Sequence, residues 1–119
     1  MIFNSGKTGE TAAAKYLKGK GYKILDRNYR KAYGELDIVA QKGENIAFVE
    51  VKTRKSVDFG TPAEFVTLKK QKKLIKAAYA YIQEHNLDAE FTFDIVEVYI
   101  EGKKVKDINH LKNAFYVSE

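Results

Sequence analysis

The chain has no cysteine, no tryptophan and one proline among its 119 residues. Without cysteine there is no disulfide, no thiolate-bound zinc and no thiol nucleophile. Histidine is nearly absent too. His85 and His110 are the only two, neither has a metal-ligand spacing to another candidate, and both are expected to be surface or structural. No serine stands in a nucleophile elbow. Ser5-Gly6-Lys7-Thr8 holds a Gly-Lys-Thr fragment but lacks the upstream glycine and strand of a phosphate-cradling loop. No apolar run approaches the roughly 18–20 residues of a membrane span. Met1 to Glu10 show no basic-then-apolar leader pattern. A cytoplasmic protein with no membrane partner is expected.

What is present is a 45% hydrophobic composition, which favours a globular chain over a disordered one. There is no repeat, low-complexity stretch or linker, so residues 1–119 are expected to form a single domain. The formal net charge is +5. That balance suits a polyanion, nucleic acid before an anionic membrane, or simply a lysine-rich surface.

Periodicity and punctuation predict the elements. A helix is expected from about Thr8 to Lys20, ending at Gly21, with Ala13, Tyr16 and Leu17 as its apolar stripe. Strands follow at Tyr22 to Arg30, Glu35 to Gln41 and Ile46 to Lys52, the last two joined as a hairpin by Lys42-Gly43-Glu44-Asn45. A loop runs from Thr53 to about Ala63. A long amphipathic helix, Leu68 to His85, is capped by Thr67. Strands at Phe91 to Tyr99 and Val105 to Asn109, around a turn at Glu101-Gly102, complete an α/β domain with a mixed sheet packed by helices.

The hairpin carries the chemistry. Alternate residues share a strand face, so Glu35 and Asp37 should point one way with Val39, and Glu50 and Lys52 with Phe48. A turn of two or four residues sets Asp37 opposite Glu50 and Glu35 opposite Lys52; a three-residue turn would shift that register. Opposed carboxylates about 5 Å apart repel by about 3 kcal/mol at an effective dielectric near 20. A shared proton or a cation between them would offset this cost. Hard oxygen ligands suit Mg²⁺ or Mn²⁺. A lysine two residues past one ligand suits charge on a phosphate or the positioning of an attacking water. The plainer alternative is a surface ladder in which Glu35 pairs with Lys52 and Asp37 faces solvent.

Glu10 shares the core-facing stripe of the first helix; it either answers the helix dipole or aims at a buried cation. Gln71 lies among the apolar residues Leu68, Ile75, Ala78 and Ile82, and needs a partner, either a backbone group or the catalytic site. Lys69, Lys72, Lys73 and Lys76 occupy the opposite face, with Arg30, Arg54 and Lys55 near the hairpin. These cations form a solvated surface or hold phosphates. Tyr29, Tyr33 and Phe59 are core residues or stack on bases.

Gly9-Glu10, Gly21-Tyr22, Asn28-Tyr29-Arg30, Gly34 to Ala40 and Phe48 to Arg54 resemble the YraN-like family of small bacterial proteins. The resemblance continues through Phe59 to Pro62, Lys70-Gln71, Phe93-Asp94 and Asn113-Ala114-Phe115. That family is similar in fold to the PD-(D/E)XK, restriction-endonuclease-like nucleases, especially archaeal Holliday junction resolvases. The resemblance implies a helix, a central mixed sheet and a catalytic hairpin. It implies Asp37, Glu50 and Glu10 as metal-binding acids, Lys52 as the catalytic lysine and Gln71 as a glutamine bordering the site. Glu35 belongs to the same motif without an assigned role. Thr92 departs from the pattern, standing where an arginine is common. The expected activity is Mg²⁺-dependent cleavage of branched or structured DNA, by analogy as a homodimer. The alternatives are a non-cleaving nucleic-acid-binding module and an RNA-processing endonuclease.

Overall fold

The computed structural model describes residues 4–62 and 66–117. Helix α1 (Ser5–Gly19) begins where the Asn4 side chain accepts the Lys7 N–H at 3.0 Å, which satisfies one of the open amides of its first turn. Asn4 takes the cap, so the helix starts at Ser5 rather than Thr8. It stops as expected before Gly21, where the Tyr22 N–H returns to the Leu17 carbonyl at 3.0 Å. Ala13, Ala14 and Leu17 are buried, whereas Tyr16 is only half-buried.

Five strands form one sheet in chain order: β1 (Lys23–Lys31), β2 (Gly34–Lys42), β3 (Asn45–Lys55), β4 (Glu90–Glu101) and β5 (Lys104–Phe115). Every neighbouring pair is antiparallel except β3 and β4. These run parallel because helix α2 (Leu68–His85) carries the chain back between them. Thr67 caps α2 by accepting the Lys70 N–H, and Asn86 closes it with φ 50. The result is the α/β architecture expected of a restriction-endonuclease-like chain: a central mixed sheet with one helix on each face.

Three expectations need correction. Strand β3 runs on to Lys55 and a short 3₁₀ turn at Ser56–Asp58 follows, so less of the Thr53–Ala63 segment is loop; Ala63 itself lies outside the described residues. Strand β5 reaches Phe115 rather than Asn109 because pairing with β4 carries polar residues such as His110 and Asn113 into the sheet. Leu68 is exposed, and the buried stripe of α2 starts nearly two turns later with Leu74, Ala77, Ala78 and Tyr81.

The sheet has a core on each face. Leu36, Val39, Ile46, Phe48, Phe93 and Ile95 pack against α2. Ile38, Ala40, Ala47, Val49, Val96 and Val98 pack against α1. Strict alternation would put Leu36 with Ile38. They lie in different cores, so β2 turns over at Asp37. Across from Asp37 on β1, between the pairs Arg27↔Ile38 and Tyr29↔Leu36, Asn28 takes a left-handed φ of 55. Helix α1 lies close over β3 because Gly9 has no side chain: a Cβ there would fall 2.3 Å from Thr53 Oγ1. These three features bring Glu10, Asp37 and Glu50 to one end of the hairpin.

Candidate active site

The β2–β3 turn uses the two residues Gly43 and Glu44, and the ladder runs in the anticipated register from Lys42↔Asn45 to Ile38↔Val49. At Asp37 the pattern changes. Instead of continuing the ladder, Asp37 Oδ2 accepts the Val51 N–H at 2.8 Å. Asp37 and Glu50 are only 7% and 8% exposed. Burial pushes the Asp37 carboxyl from 3.8 up to about 7, with the charge of Glu50 as the next cause and smaller pushes from Glu10 and Glu35; the Val51 N–H opposes them.

The cation that compensates Glu50 comes from the protein itself. Lys70 Nζ is 3.0 Å from Glu50 Oε1, and this hydrogen bond, against the cost of burial, holds the Lys70 ammonium above its ordinary pKa. Lys70 stands beside Gln71 in the stretch that carries the family resemblance, but the sequence reading gave it no role. The available signal was its spacing: Lys70 leads the buried positions Leu74, Ala77 and Tyr81 at helical intervals. Asn28, also within the resemblance, was likewise given no role. With its amide nitrogen turned toward Glu10, it stands 3.2 Å from both carboxylate oxygens. A left-handed asparagine in a strand has no periodic signature.

Among the described residues, no three carboxylate or imidazole groups gather closely enough to hold a metal ion together. The carboxylates of Glu10, Asp37 and Glu50 occupy one region, but Glu10 faces Asn28, Asp37 takes a backbone N–H and Glu50 takes Lys70. Like charges in a shared low-dielectric pocket separate onto positive partners. The donor chemistry still fits a hard divalent ion, since magnesium is commonly held by one or two carboxylates with water and phosphate oxygens completing the shell. Asp37 and Glu50 would be those two.

Lys52 is half-buried on β3 two residues beyond Glu50, aligned with Glu97 of β4. Glu35 does not pair with Lys52: it lies opposite Arg30 on β1, and Arg30 Nε is 3.3 Å from Glu35 Oε2 at the surface. Gln71 Nε2 donates to the Val66 carbonyl at 2.9 Å, so its partner is a backbone group. Lys55, Lys69, Lys72, Lys73 and Lys76 are exposed. Arg54, expected beside the phosphates, is turned inward. Its Nη1 is 3.0 Å from the fully buried Glu97 carboxylate and 2.9 Å from Tyr99 Oη, and its Nη2 is 2.9 Å from Thr61 Oγ1. A buried carboxylate demands such a partner. Burial pushes Glu97 upward, but hydrogen bonds from Asn109, Tyr99 and Arg54 outweigh it and leave it below the usual carboxylate range.

Of the aromatics, Tyr29 packs edge-on against Tyr81 and Phe59 against Tyr99, whereas Tyr33 is exposed. His85 stacks on Tyr81, and His110 is buried with Nε2 2.8 Å from Asp94 Oδ2. Both histidines fit structural roles. Thr92 Oγ1 accepts Asn45 Nδ2 at 3.1 Å, tying β4 to β3. Among the described residues no helix is long and apolar enough to cross a membrane.

Fold and site together define an α/β protein whose mixed five-stranded sheet carries a buried carboxylate pair, with a lysine partner, at one end of its central hairpin. The chain belongs to the family described as "Uncharacterised protein family UPF0102", whose model matches residues 9–98. It is 51% identical to a UPF0102 protein of Syntrophomonas wolfei, over 92% of this chain and 96% of that one. A UPF0102 protein of Caldicellulosiruptor saccharolyticus is 47% identical over 92% and 95% of the two chains. One from Flavobacterium psychrophilum is 46% identical over 93% and 92%.

Proposed function

We propose that the chain is a Mg²⁺- or Mn²⁺-dependent endonuclease that hydrolyses phosphodiester bonds in branched or otherwise structured DNA, in the cytoplasm. The observation that carries this reading is the buried pair Asp37 and Glu50, charged groups kept in a pocket where an apolar pair would stabilise the fold more. A bound divalent ion would polarise the phosphate and lower the pKa of a water beside it.

The residues around that pair have complementary tasks. Asp37 and Glu50 offer oxygens, and Asp37 releases its proton readily near neutral pH. Lys70 neutralises Glu50. Lys52, on the same strand face as Glu50, is the group for charge on the phosphate or for orienting the attacking water. Glu10 adds negative charge from α1, steadied by Asn28, and Gln71 borders the pocket at the start of α2. The exposed lysines of α2 neutralise phosphates on either side. A two-fold dimer would let each site cut one strand.

A second reading is favoured by one observation. Glu50 already holds an ammonium and, among the described residues, no three ligands are gathered, which suits a module that binds nucleic acid without cutting it. The two readings separate in one experiment. Labelled four-way junction, flap, nicked duplex, linear duplex, single strand and RNA are incubated with Mg²⁺, Mn²⁺ or EDTA, beside Asp37→Ala and Glu50→Ala. The endonuclease reading expects metal-dependent cleavage that both variants lose. Cleavage retained in both variants overturns the site. Binding without cleavage under every metal selects the module, and preference for RNA selects RNA processing.

A further inference from the structure

The β1–β2 turn is fastened to the outer face of α2 at two points. Gly34 lies against the helix backbone so closely that a Cβ there would be 2.7 Å from the Lys73 carbonyl oxygen. Lys31, on the other side of the turn, forms an ion pair with Glu84 of α2. Between these points Tyr33 is held beside the helix, where Tyr33, Lys76, Tyr79, Ala80 and Gln83 line an open cleft of about 280 Å³. Tyr33 is 43% exposed and Tyr79 53% exposed. Two large rings left in water at a site held so firmly are unfilled contact area.

The cleft closes one end of a basic strip. At 3.6 residues per turn, Lys69, Lys72, Lys73 and Lys76, then Ala80 and Gln83, fall within about 100° of the circumference of α2. All four lysines are exposed, and none has an ion-pair partner among the described residues. The carboxylate near the cleft, Glu84, is already neutralised by Lys31. Lys76 and Tyr79 lie six and nine residues beyond Lys70, about 9–14 Å along the axis, the reach of a few nucleotides from the carboxylate pair.

We propose that this cleft is a subsite for one unpaired nucleobase of a single-stranded segment, stacked on Tyr33 and Tyr79. The lysine strip carries the adjoining phosphates toward Glu50 and Asp37. Gln83, with one donor group and one acceptor, meets the edge of the base, and Ala80 leaves room for its plane. This deepens the proposed function, because it rests on nucleic acid as the partner and makes the substrate one with an unpaired stretch beside the cut. Fully paired DNA offers no free base face and would use the strip alone.

The test is fluorescence anisotropy in EDTA, with a short labelled oligothymidylate and a labelled duplex at one salt concentration. Tyr33→Ala and Tyr79→Ala are each expected to weaken oligothymidylate binding about tenfold. Tyr33→Phe and Tyr79→Phe should stay within about twofold of the parent, because stacking needs the ring and not the hydroxyl. Duplex binding should be unchanged in all four variants. Alanine variants that bind oligothymidylate like the parent, or that lose strand and duplex alike, overturn the subsite, as does a parent protein that ignores the single strand. Cleavage by the parent protein in Mg²⁺ is followed alongside. Cleavage with no effect of the tyrosines refutes the cleft and leaves the nuclease reading standing. Loss of strand binding without cleavage keeps the cleft and refutes the nuclease.

Discussion

Asp37 and Glu50 occupy positions where the fold would be steadier with valine, and the cost can be measured. The folded Asp37 carboxyl titrates at about 7 instead of 3.8, so folding takes up a proton between those values. Its contribution is most favourable below the unfolded pKa, fades as pH rises toward 7, and stays unfavourable above. Asp37→Asn keeps an acceptor for the Val51 N–H and removes the charge. It should therefore raise stability at pH 8 by about 1–3 kcal/mol relative to the parent, and far less at pH 5. Thermal melts at the two pH values check this; an equal effect at both would show that Asp37 is not perturbed. Lys70→Met leaves Glu50 without the ammonium at 3.0 Å. Because the Lys70 side chain is half exposed, the expected loss is modest, about 1–2 kcal/mol. On the metal-binding reading, Mn²⁺ should then raise the Tm of Lys70→Met more than that of the parent. An unchanged melt together with an equal response to Mn²⁺ would remove Lys70 from the site.

At the scale of elements, the most legible unit was α2, whose bounds follow from the Thr67 cap and an amphipathic run, and the β2–β3 hairpin, whose register follows from its two-residue turn. Local chemistry decides both. Strand β5 was cut short because its length depends on hydrogen bonds to β4, which no pattern within β5 records. The placement of α1 is also non-local and rests on Gly9. Alanine suits a helix better than glycine by about 1 kcal/mol, yet in Gly9→Ala the new Cβ meets Thr53 Oγ1 at 2.3 Å. The clash should dominate and leave Gly9→Ala about 1–2 kcal/mol less stable than the parent in urea titration. Adding Thr53→Ala removes that oxygen and leaves the Thr53 Cβ at 3.6 Å, an ordinary contact. The double variant should regain about 1 kcal/mol or more over Gly9→Ala. No recovery would mean that α1 does not depend on this approach.

For the whole molecule, the net charge of +5 says less than its distribution. Arg54 is spent on Glu97 and Arg30 on Glu35, so of the cations named near the hairpin and on α2, Lys55 and the exposed lysines of α2 remain for a polyanion. Duplex affinity in EDTA should fall linearly on a log–log plot against salt. Each of Lys72→Gln and Lys76→Gln should make that slope shallower by about 0.9. A slope that neither variant changes would put the phosphates elsewhere. By itself the sequence determined the element order, two acids with a lysine on adjacent strands and, given a turn of two or four residues, the hairpin register, because strand alternation, capping and turn length act over a few residues. It also marked Glu10 and Gln71 as polar groups on buried stripes, though not what they meet. Only the tertiary structure decided that β2 turns over at Asp37, that Lys70 reaches Glu50, that Asn28 faces Glu10, and that Arg54 belongs to the core. Each of those outcomes joins residues distant in the chain, and a buried charge takes whichever opposite partner the packing brings within reach.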